Sequence, residues 1–430
     1  MSVPLPRLLE GLPADGSALS WDQHIALHGR PASHDADRLL REVEASGLTG
    51  RGGAAFPTAR KLAAVAQAPS ARPPVVVANG AEGEPASSKD RLLLACLPHL
   101  VLDGISAAAG AVGAGRAVLC LHEGSPVADR VERALAERRA AGVDPCPIEI
   151  IDLPARYVAS EESALVHWLT KGVPRPTTRP PRPDQRGVDG RPTLVNNVET
   201  FAHLALIARY GAAWFTEAGT RAEPGTRLLT VSGAVASPGV LEVEIGIRLS
   251  DALDRCGGLR EAPAGFLIGG YFGGWVSPDV AASLRLSRAG LAGVGGSPGA
   301  GVVLALPASA CPLQEVSRVV SWLADQSAGQ CGPCLFGLAS IAEAFDALSR
   351  GRLSAAGQRR LERWTHEVTG RGACHHPDGT ARFVTSALRT FQSEIALHSK
   401  GRCSAPGDRL PVCPLPAAAA GPLSNVAGVR

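Results

Sequence analysis

Cysteine spacing constrains this chain most. Ser327-Ala328-Gly329-Gln330-Cys331-Gly332-Pro333-Cys334 sets two thiols three residues apart, ahead of an apolar-striped segment from Leu335 to Leu348. A third cysteine, Cys374, lies 40 positions after Cys334, beside His375 and His376. Two close thiolates and one remote one are an arrangement that soft ligands make around zinc or iron. Any fold for this chain must therefore bring the loop at 331 against the loop at 374. A four-iron, four-sulfur site takes four cysteines. In a C-x-x-C-x-x-C run the fourth would stand at position 328, which is alanine.

The 430 residues suffice for two or three domains with buried cores. Apolar residues make up 45% and charged residues 19%, the balance of a folded globular protein. A net charge of +3, with no basic cluster interleaved with aromatics, argues against nucleic acid as a partner. No apolar run approaches the roughly 18 residues that a membrane helix needs, so no direct membrane insertion is expected. Met1 to Leu19 has no continuous apolar core and does not read as a secretory signal. These features place the chain in the cytoplasm. There, ten cysteines are core thiols or metal ligands rather than disulfides. Cys96, Cys120, Cys146, Cys256 and Cys311 stand alone in apolar surroundings and read as core packing. Cys403 and Cys413 read as free tail thiols.

Residues 1–45 form a mixed N-terminal extension wrapped on the first domain. Gly50, Gly52 and Gly53 then open a loop carrying Arg51, Arg60 and Lys61, with a helix predicted from near Thr58. Such a loop lets backbone N–H groups and the positive helix end face an anion; a surface turn before a helix is the plainer reading. A β-rich run, 74–79, ends in the polar loop Asn79–Arg91. An apolar helix (97–113), a strand (117–121), an amphipathic helix and a strand (148–151) follow. This alternation predicts a parallel sheet covered by helices. Glu161 and Glu162 open a helix, either as dipole partners or as ligand contacts. Asn196 and Asn197 precede another, either as caps or as amides for a cofactor. From 225 the chain becomes a small α+β module. Gly290–Gly301 reads as a linker, and from Leu313 four amphipathic stripes read as a helical bundle. Residues 402–430 have no periodicity and read as a disordered tail.

In this order, Gly50–Lys61, Asn79–Arg91, Ser160–Leu165, Arg179–Pro183, Asn196–Thr200, Gln326–Cys334 and Ala373–Pro377 resemble the motifs of one family. It is the F-type, flavin- and NADH-binding subunit of respiratory complex I, with its relatives in NAD-linked hydrogenases and formate dehydrogenases. The resemblance spans residues 40–400. It implies a Rossmann-like α/β flavin domain (46–224), an SLBB-like β-grasp insert (225–300) and a helical iron–sulfur domain (301–401). It also implies an NADH dehydrogenase (diaphorase)-like oxidoreductase. Electrons would pass from NAD(P)H through FMN to an iron–sulfur cluster, and on to a ferredoxin-like or thioredoxin-fold iron–sulfur protein.

By position in those motifs, Gly50, Arg51, Gly52, Gly53 and Lys61 would hold the FMN phosphate and ribityl chain. Asn79, Glu82, Tyr157, Asn196, Asn197 and Thr200 would complete the pocket, with Glu161 and Arg179 among the cofactor contacts. Glu84, Glu162 and Phe56 would sit on the NADH side, the two glutamates as the catalytic pair. Cys331, Cys334 and Cys374 would hold the cluster.

The departures lie at ligand positions. Ala55 and Ser160 stand where the family has glycine, Ala81 where it has aspartate, and Arg182 where it has the phenylalanine that stacks on adenine. No aromatic follows Lys61. Ala328 leaves three readings of the cluster: four-iron with one open iron, three-iron, or a fourth ligand from His375, His376, Asp325, Cys403 or Cys413. A fourth reading leaves the site empty. Two functional alternatives accompany the enzyme: a flavin and iron–sulfur module that does not use NADH, and a non-catalytic scaffold.

Overall fold

The computed structural model describes residues 5–31, 35–178, 180–405 and 411–415. Four parallel strands, β1 (Val75–Asn79), β2 (Arg116–His122), β3 (Ile148–Leu153) and β4 (Thr193–Asn197), form a sheet in the order β3-β2-β1-β4. The apolar run from Val75 to Ala78 is fully buried, as a parallel strand covered on both faces requires. Its side chains alternate between two cores. Val76 and Ala78 face the large core built with helices Pro98–Val112 and Val198–Thr216. Val75 and Val77 face a smaller one with Leu165 of helix Glu162–Lys171. The two large helices approach so closely at Gly104 that a Cβ there would lie 1.8 Å from the Phe201 carbonyl oxygen.

The N-terminal extension belongs to the first core. Leu8, Leu9, Leu39 and Val43 are buried in it. Helix Trp21–His28 starts with a Ser20/Gln23 capping box, and helix Ala36–Ser46 follows.

The insert holds a second sheet, ordered β6-β5-β9-β7-β8. Its strands are β5 (Thr226–Gly233), β6 (Gly239–Glu244), β7 (Pro263–Ile268), β8 (Gly274–Val276) and β9 (Val302–Pro307). The last of these corrects the expected boundary at 300. β9 pairs in parallel with β5 and antiparallel with β7, so it is the central strand of the insert and not the start of the helical domain. The Gly-rich stretch before it is an intra-domain connection, because only β9 can satisfy the inner edges of both hairpins.

The helical domain comprises Pro312–Asp325, a π-helical segment Pro333–Leu338, Ala339–Ser349, Ala355–Val368, His376–Thr390 and Gln392–His398. Its core continues onto one face of the insert sheet through Leu267, Tyr271, Trp275, Leu304 and Leu306. The other face of that sheet closes a core of its own with helix Leu249–Arg255.

The tail expectation also needs correction. Val412 and Cys413 donate their amides to the Glu315 carboxylate at 3.1 and 2.9 Å, and Cys413 is fully buried. Tyr271 Oη donates to the Pro414 carbonyl. A buried carboxylate thus holds a segment whose sequence shows no periodicity. Residues 406–410 and 416–430 lie outside the described residues. Among the described residues, no single helix is long and apolar enough to cross a membrane.

Candidate flavin and iron–sulfur site

The strand order β3-β2-β1-β4 reverses direction between β1 and β4. In open α/β sheets, ligands bind beyond the carboxyl ends of strands at such a switch point. Those ends carry Asn79 and the Asn196-Asn197 pair, with Asn79 in register with Asn197. Asn79 Nδ2 donates to the Ser160 carbonyl at 2.8 Å, but Asn79 Oδ1 is buried with no partner. Asn196 is buried and its Nδ2 also has no partner. Buried amide groups are nearly always satisfied, and two unpartnered ones flank this switch point.

The glycine loop crosses the same end. Gly50 N–H donates to the Phe56 carbonyl at 2.9 Å, closing the loop. A Cβ on Gly52 would press on Asn197 Cβ at 3.2 Å, and Gly53 has φ 110°. Ala55 adopts φ 50°, a left-handed conformation that costs a non-glycine residue roughly 1–2 kcal/mol. Helix Thr58–Ala66 follows, with no side-chain cap and no acidic residue in its first turn. Lys61 Nζ lies 2.7 Å from Glu162 Oε1 and 3.0 Å from the Val195 carbonyl. Phe56 is exposed, 6.0 Å from that ammonium.

Other expected contacts face inward. Arg51 N–H donates to Thr200 Oγ1 at 2.9 Å, and its buried guanidinium donates to the Thr49 and Thr226 carbonyls. The cation supports the loop from behind and does not face the anion position. Glu82 accepts from Ser87 Oγ and from the Asp90 and Arg91 amides, capping helix Lys89–Cys96. Glu161 caps helix Glu162–Lys171 through the Ser163 and Ala164 amides. Asn197 accepts from the Glu199 amide at 3.0 Å. Arg182 is exposed at the start of the short helix Pro183–Arg186, Ala81 is buried in the apolar core behind β1, and Arg179 lies outside the described residues.

Glu84 bridges the domains. Its Oε2 accepts from the Tyr271 amide at 2.8 Å and from Tyr157 Oη at 3.3 Å. A Cβ on Gly270 would meet the same oxygen at 2.5 Å. Burial pushes the Glu84 carboxyl up to about 7, against the amides that stabilise its ionised form. The Tyr157 ring packs on Phe272, Trp322 and His376, and its amide donates to Gln326 at the entrance to the cysteine loop. Gln330 Nε2 reaches the Pro176 carbonyl at 2.7 Å. The cysteine loop is thereby tied to the sheet's carboxyl end.

Cys331 and Cys334 are neighbours there, and Cys374 is near enough to act electrostatically on Cys334, as Cys331 does on Cys374. Burial, with the neighbouring thiols, pushes Cys334 up to about 12, and burial pushes Cys374 up to about 11. The Ala328 amide points at the Cys334 sulfur, so position 328 borders the site.

Three family models match in the same order: the Nuo51 FMN-binding domain over residues 43–206, the SLBB domain over 228–269, and the NADH-ubiquinone oxidoreductase-F iron-sulfur binding region over 314–398. The F subunit of the Mycobacterium tuberculosis NADH-quinone oxidoreductase is 31% identical over 411 residues, covering 90% of this chain and 92% of its own. The chain belongs to the family of NADH-quinone oxidoreductase F subunits. The Streptomyces coelicolor F subunit is 32% identical over 85% of this chain and 84% of its own. An NADP-reducing hydrogenase subunit, HndC of Solidesulfovibrio fructosivorans, is 29% identical over 88% and 80%. Among solved structures, an air-oxidised NAD+-reducing [NiFe]-hydrogenase aligns at TM-score 0.81 and 30% identity, over 97% of this chain and 70% of its own. In the H2-reduced state the match has TM-score 0.79 and covers 65% of the hydrogenase chain. This member of the F-subunit family is thus an NADH-dehydrogenase-like oxidoreductase built for FMN and an iron–sulfur cluster, with NAD(P)H as its substrate class. Its relatives are subunits of larger electron-transfer enzymes.

Several residues at the site carry little or no signal in the sequence. Lys89 Nζ is fully buried, 2.6 Å from Asp90 Oδ1, 2.9 Å from Glu199 Oε2 and 3.2 Å from Asn197 Oδ1. Opposite charge holds the Glu199 carboxyl well below the usual range, with Lys89 foremost against the cost of burial. Adjacent charges opening an apolar helix were the available signal. Tyr271 and Gly270 carried none. Of the alternative fourth ligands, His375 is exposed and bonds Asp378 at 2.9 Å, whereas His376 is buried and donates to the Leu323 carbonyl at 2.8 Å. Cys403 and Cys413 are both free thiols; Cys403 is exposed beside Cys311, whereas Cys413 is buried with its amide on Glu315.

Proposed function

We propose that this chain is the nicotinamide-oxidising unit of a cytoplasmic electron-transfer assembly, passing electrons from NADH or NADPH to a ferredoxin-like or thioredoxin-fold iron–sulfur partner. The observation that carries the reading is the pair of buried, unpartnered amide atoms, Asn79 Oδ1 and Asn196 Nδ2, at the β1/β4 switch point. The acceptor and the donor stand on adjacent strands, one register position apart, and either would suit a polar atom of a flavin ring. Gly50, Gly52, Gly53 and the uncapped end of helix Thr58–Ala66, with Lys61, suit its phosphate. FMN accepts two electrons as a hydride and releases them singly, which a one-electron cluster requires.

The chain's own residues then act around that position. Tyr157 would wall it from the insert side, and Arg51 and Thr200 stiffen the loop behind it. Phe56 and the Lys61–Glu162 pair form its exposed rim, where a dinucleotide would enter. Glu84, its carboxyl pushed up to about 7 by burial, is partly neutral at neutral pH and so presents less negative charge to an incoming dinucleotide phosphate. Cys331, Cys334 and Cys374 would hold the cluster as thiolates, releasing their protons on binding. Exposed Leu335 and Phe336, beside Cys334, present an apolar spot for the partner. Arg182, exposed where an adenine-stacking aromatic is absent, favours one second reading: a flavin and iron–sulfur module without nicotinamide use.

Anaerobically purified protein should carry one FMN per chain with iron and sulfide, and micromolar NADH or NADPH should bleach the flavin. Flavin present but unbleached by either nucleotide selects the second reading. Colourless protein after reconstitution overturns both.

A further inference from the structure

We propose that Cys311, Glu394, His398 and Cys403 form a second metal site, for zinc or a zinc-like divalent ion. One ligand atom from each lies within 4.8 Å of all the others, and three of the four side chains are buried. They come from three separate segments. Cys311 caps the first helix of the bundle, Pro312–Asp325. Glu394 and His398 stand one turn apart on the last, Gln392–His398. Cys403 follows in the chain beyond it.

The separations from His398 suit a tetrahedral site. His398 Nε2 lies 3.5 Å from Cys311 Sγ and 3.1 Å from Glu394 Oε1. Around zinc, with Zn–S about 2.3 Å and Zn–N about 2.0 Å, tetrahedral geometry separates sulfur and nitrogen by about 3.5 Å. The outer contacts orient the ligands as metal sites do. His398 Nδ1 bonds the Ser349 carbonyl at 2.6 Å, which fixes the ring proton there and turns the Nε2 lone pair to the centre. The Ser404 amide donates to Glu394 Oε1 at 3.0 Å. A histidine–glutamate pair one turn apart is an ordinary ion pair. Two thiols converging on that pair from elsewhere in the chain are not needed by it. Two sulfurs, one imidazole and one carboxylate suit zinc, whereas magnesium and calcium prefer oxygen alone.

The site shares no residue with the cysteine trio. Cys311 is at the start of helix Pro312–Asp325, while His376, beside Cys374, bonds Leu323 near its end. Those ends are about 20 Å apart for 14 residues. Binding would release the two thiol protons and clip the chain leaving the last helix to the head of the first.

The test uses the full chain with Cys331→Ser and Cys334→Ser, which removes the other thiolate site. We expect one equivalent of zinc to survive desalting, and Co2+ to give a thiolate charge-transfer band. Adding Cys403→Ser, at an exposed position, or His398→Gln should abolish both in a folded protein. In the wild-type chain, stoichiometric Zn2+ should slow alkylation of Cys403 at least tenfold, reversibly with chelator. Equal metal content with and without Cys403→Ser overturns the site. So does an alkylation rate indifferent to zinc, or a Cys311–Cys403 disulfide in anaerobically prepared protein.

Discussion

Ala328 lies beside Cys334 through its amide, yet its side chain is a methyl group at the position where a C-x-x-C-x-x-C run would carry a fourth thiolate. Ala328→Cys is expected to raise iron per chain and to replace any three-iron EPR signal of the oxidised protein by the spectrum of a four-iron cluster on reduction. Unchanged iron and EPR would show that position 328 does not reach the cluster. Glu84 makes a prediction about stability. Its carboxyl titrates near 7 in the folded protein, against about 4.5 when unfolded. Below both values it is protonated in either state and contributes nothing to the pH dependence. Between them only the unfolded chain ionises, so stability falls as pH rises, by up to about 3 kcal/mol. Urea titrations at about pH 5 and about pH 8 should therefore show a smaller loss for Glu84→Gln than for wild type. Residue roles were unevenly legible. Glu82, Glu84, Glu161 and Glu162 look alike in sequence. Folding makes Glu82 and Glu161 caps, pairs Glu162 with Lys61, and buries Glu84 under a loop nearly 190 positions later. A cap is a local event that a pattern can reveal; burial by a remote loop is not.

The π-helical segment Pro333–Leu338 is an element of unusual exposure. It buries Cys334 and Leu338 yet leaves Leu335 52% and Phe336 73% exposed. The wider turn rotates successive side chains differently from an α-helix, and such turns gather at functional sites. Phe336→Ser should lower the rate of electron delivery to an iron–sulfur protein acceptor several-fold, while NADH reduction of a small dye stays unchanged. Equal loss in both assays would place Phe336 in the fold and not in docking. Strand–helix alternation made the first domain readable, because apolar strands and amphipathic helices differ in period. β9 was misassigned for a physical reason. A fully buried strand of six residues looks the same whether it begins a domain or completes one, and only its partners decide.

At the scale of the molecule, the three parts meet at one end of the parallel sheet. Glu84 from the first domain, Tyr271 from the insert and Tyr157 against the bundle close a shared contact. The motif order disclosed that these parts exist. It could not disclose that the insert sheet's second face serves as a wall of the bundle core. The insert's strand order has a consequence for synthesis. The sheet runs β6-β5-β9-β7-β8, so its middle strand is the last to leave the ribosome. Until residue 307 emerges, β5–β6 and β7–β8 are two separate hairpins with bare inner edges, and isolated hairpins are marginal in water. The insert therefore cannot close before the first domain is complete, and a chain arrested at Gly301 would expose two unpaired strand edges, the raw material of aggregation.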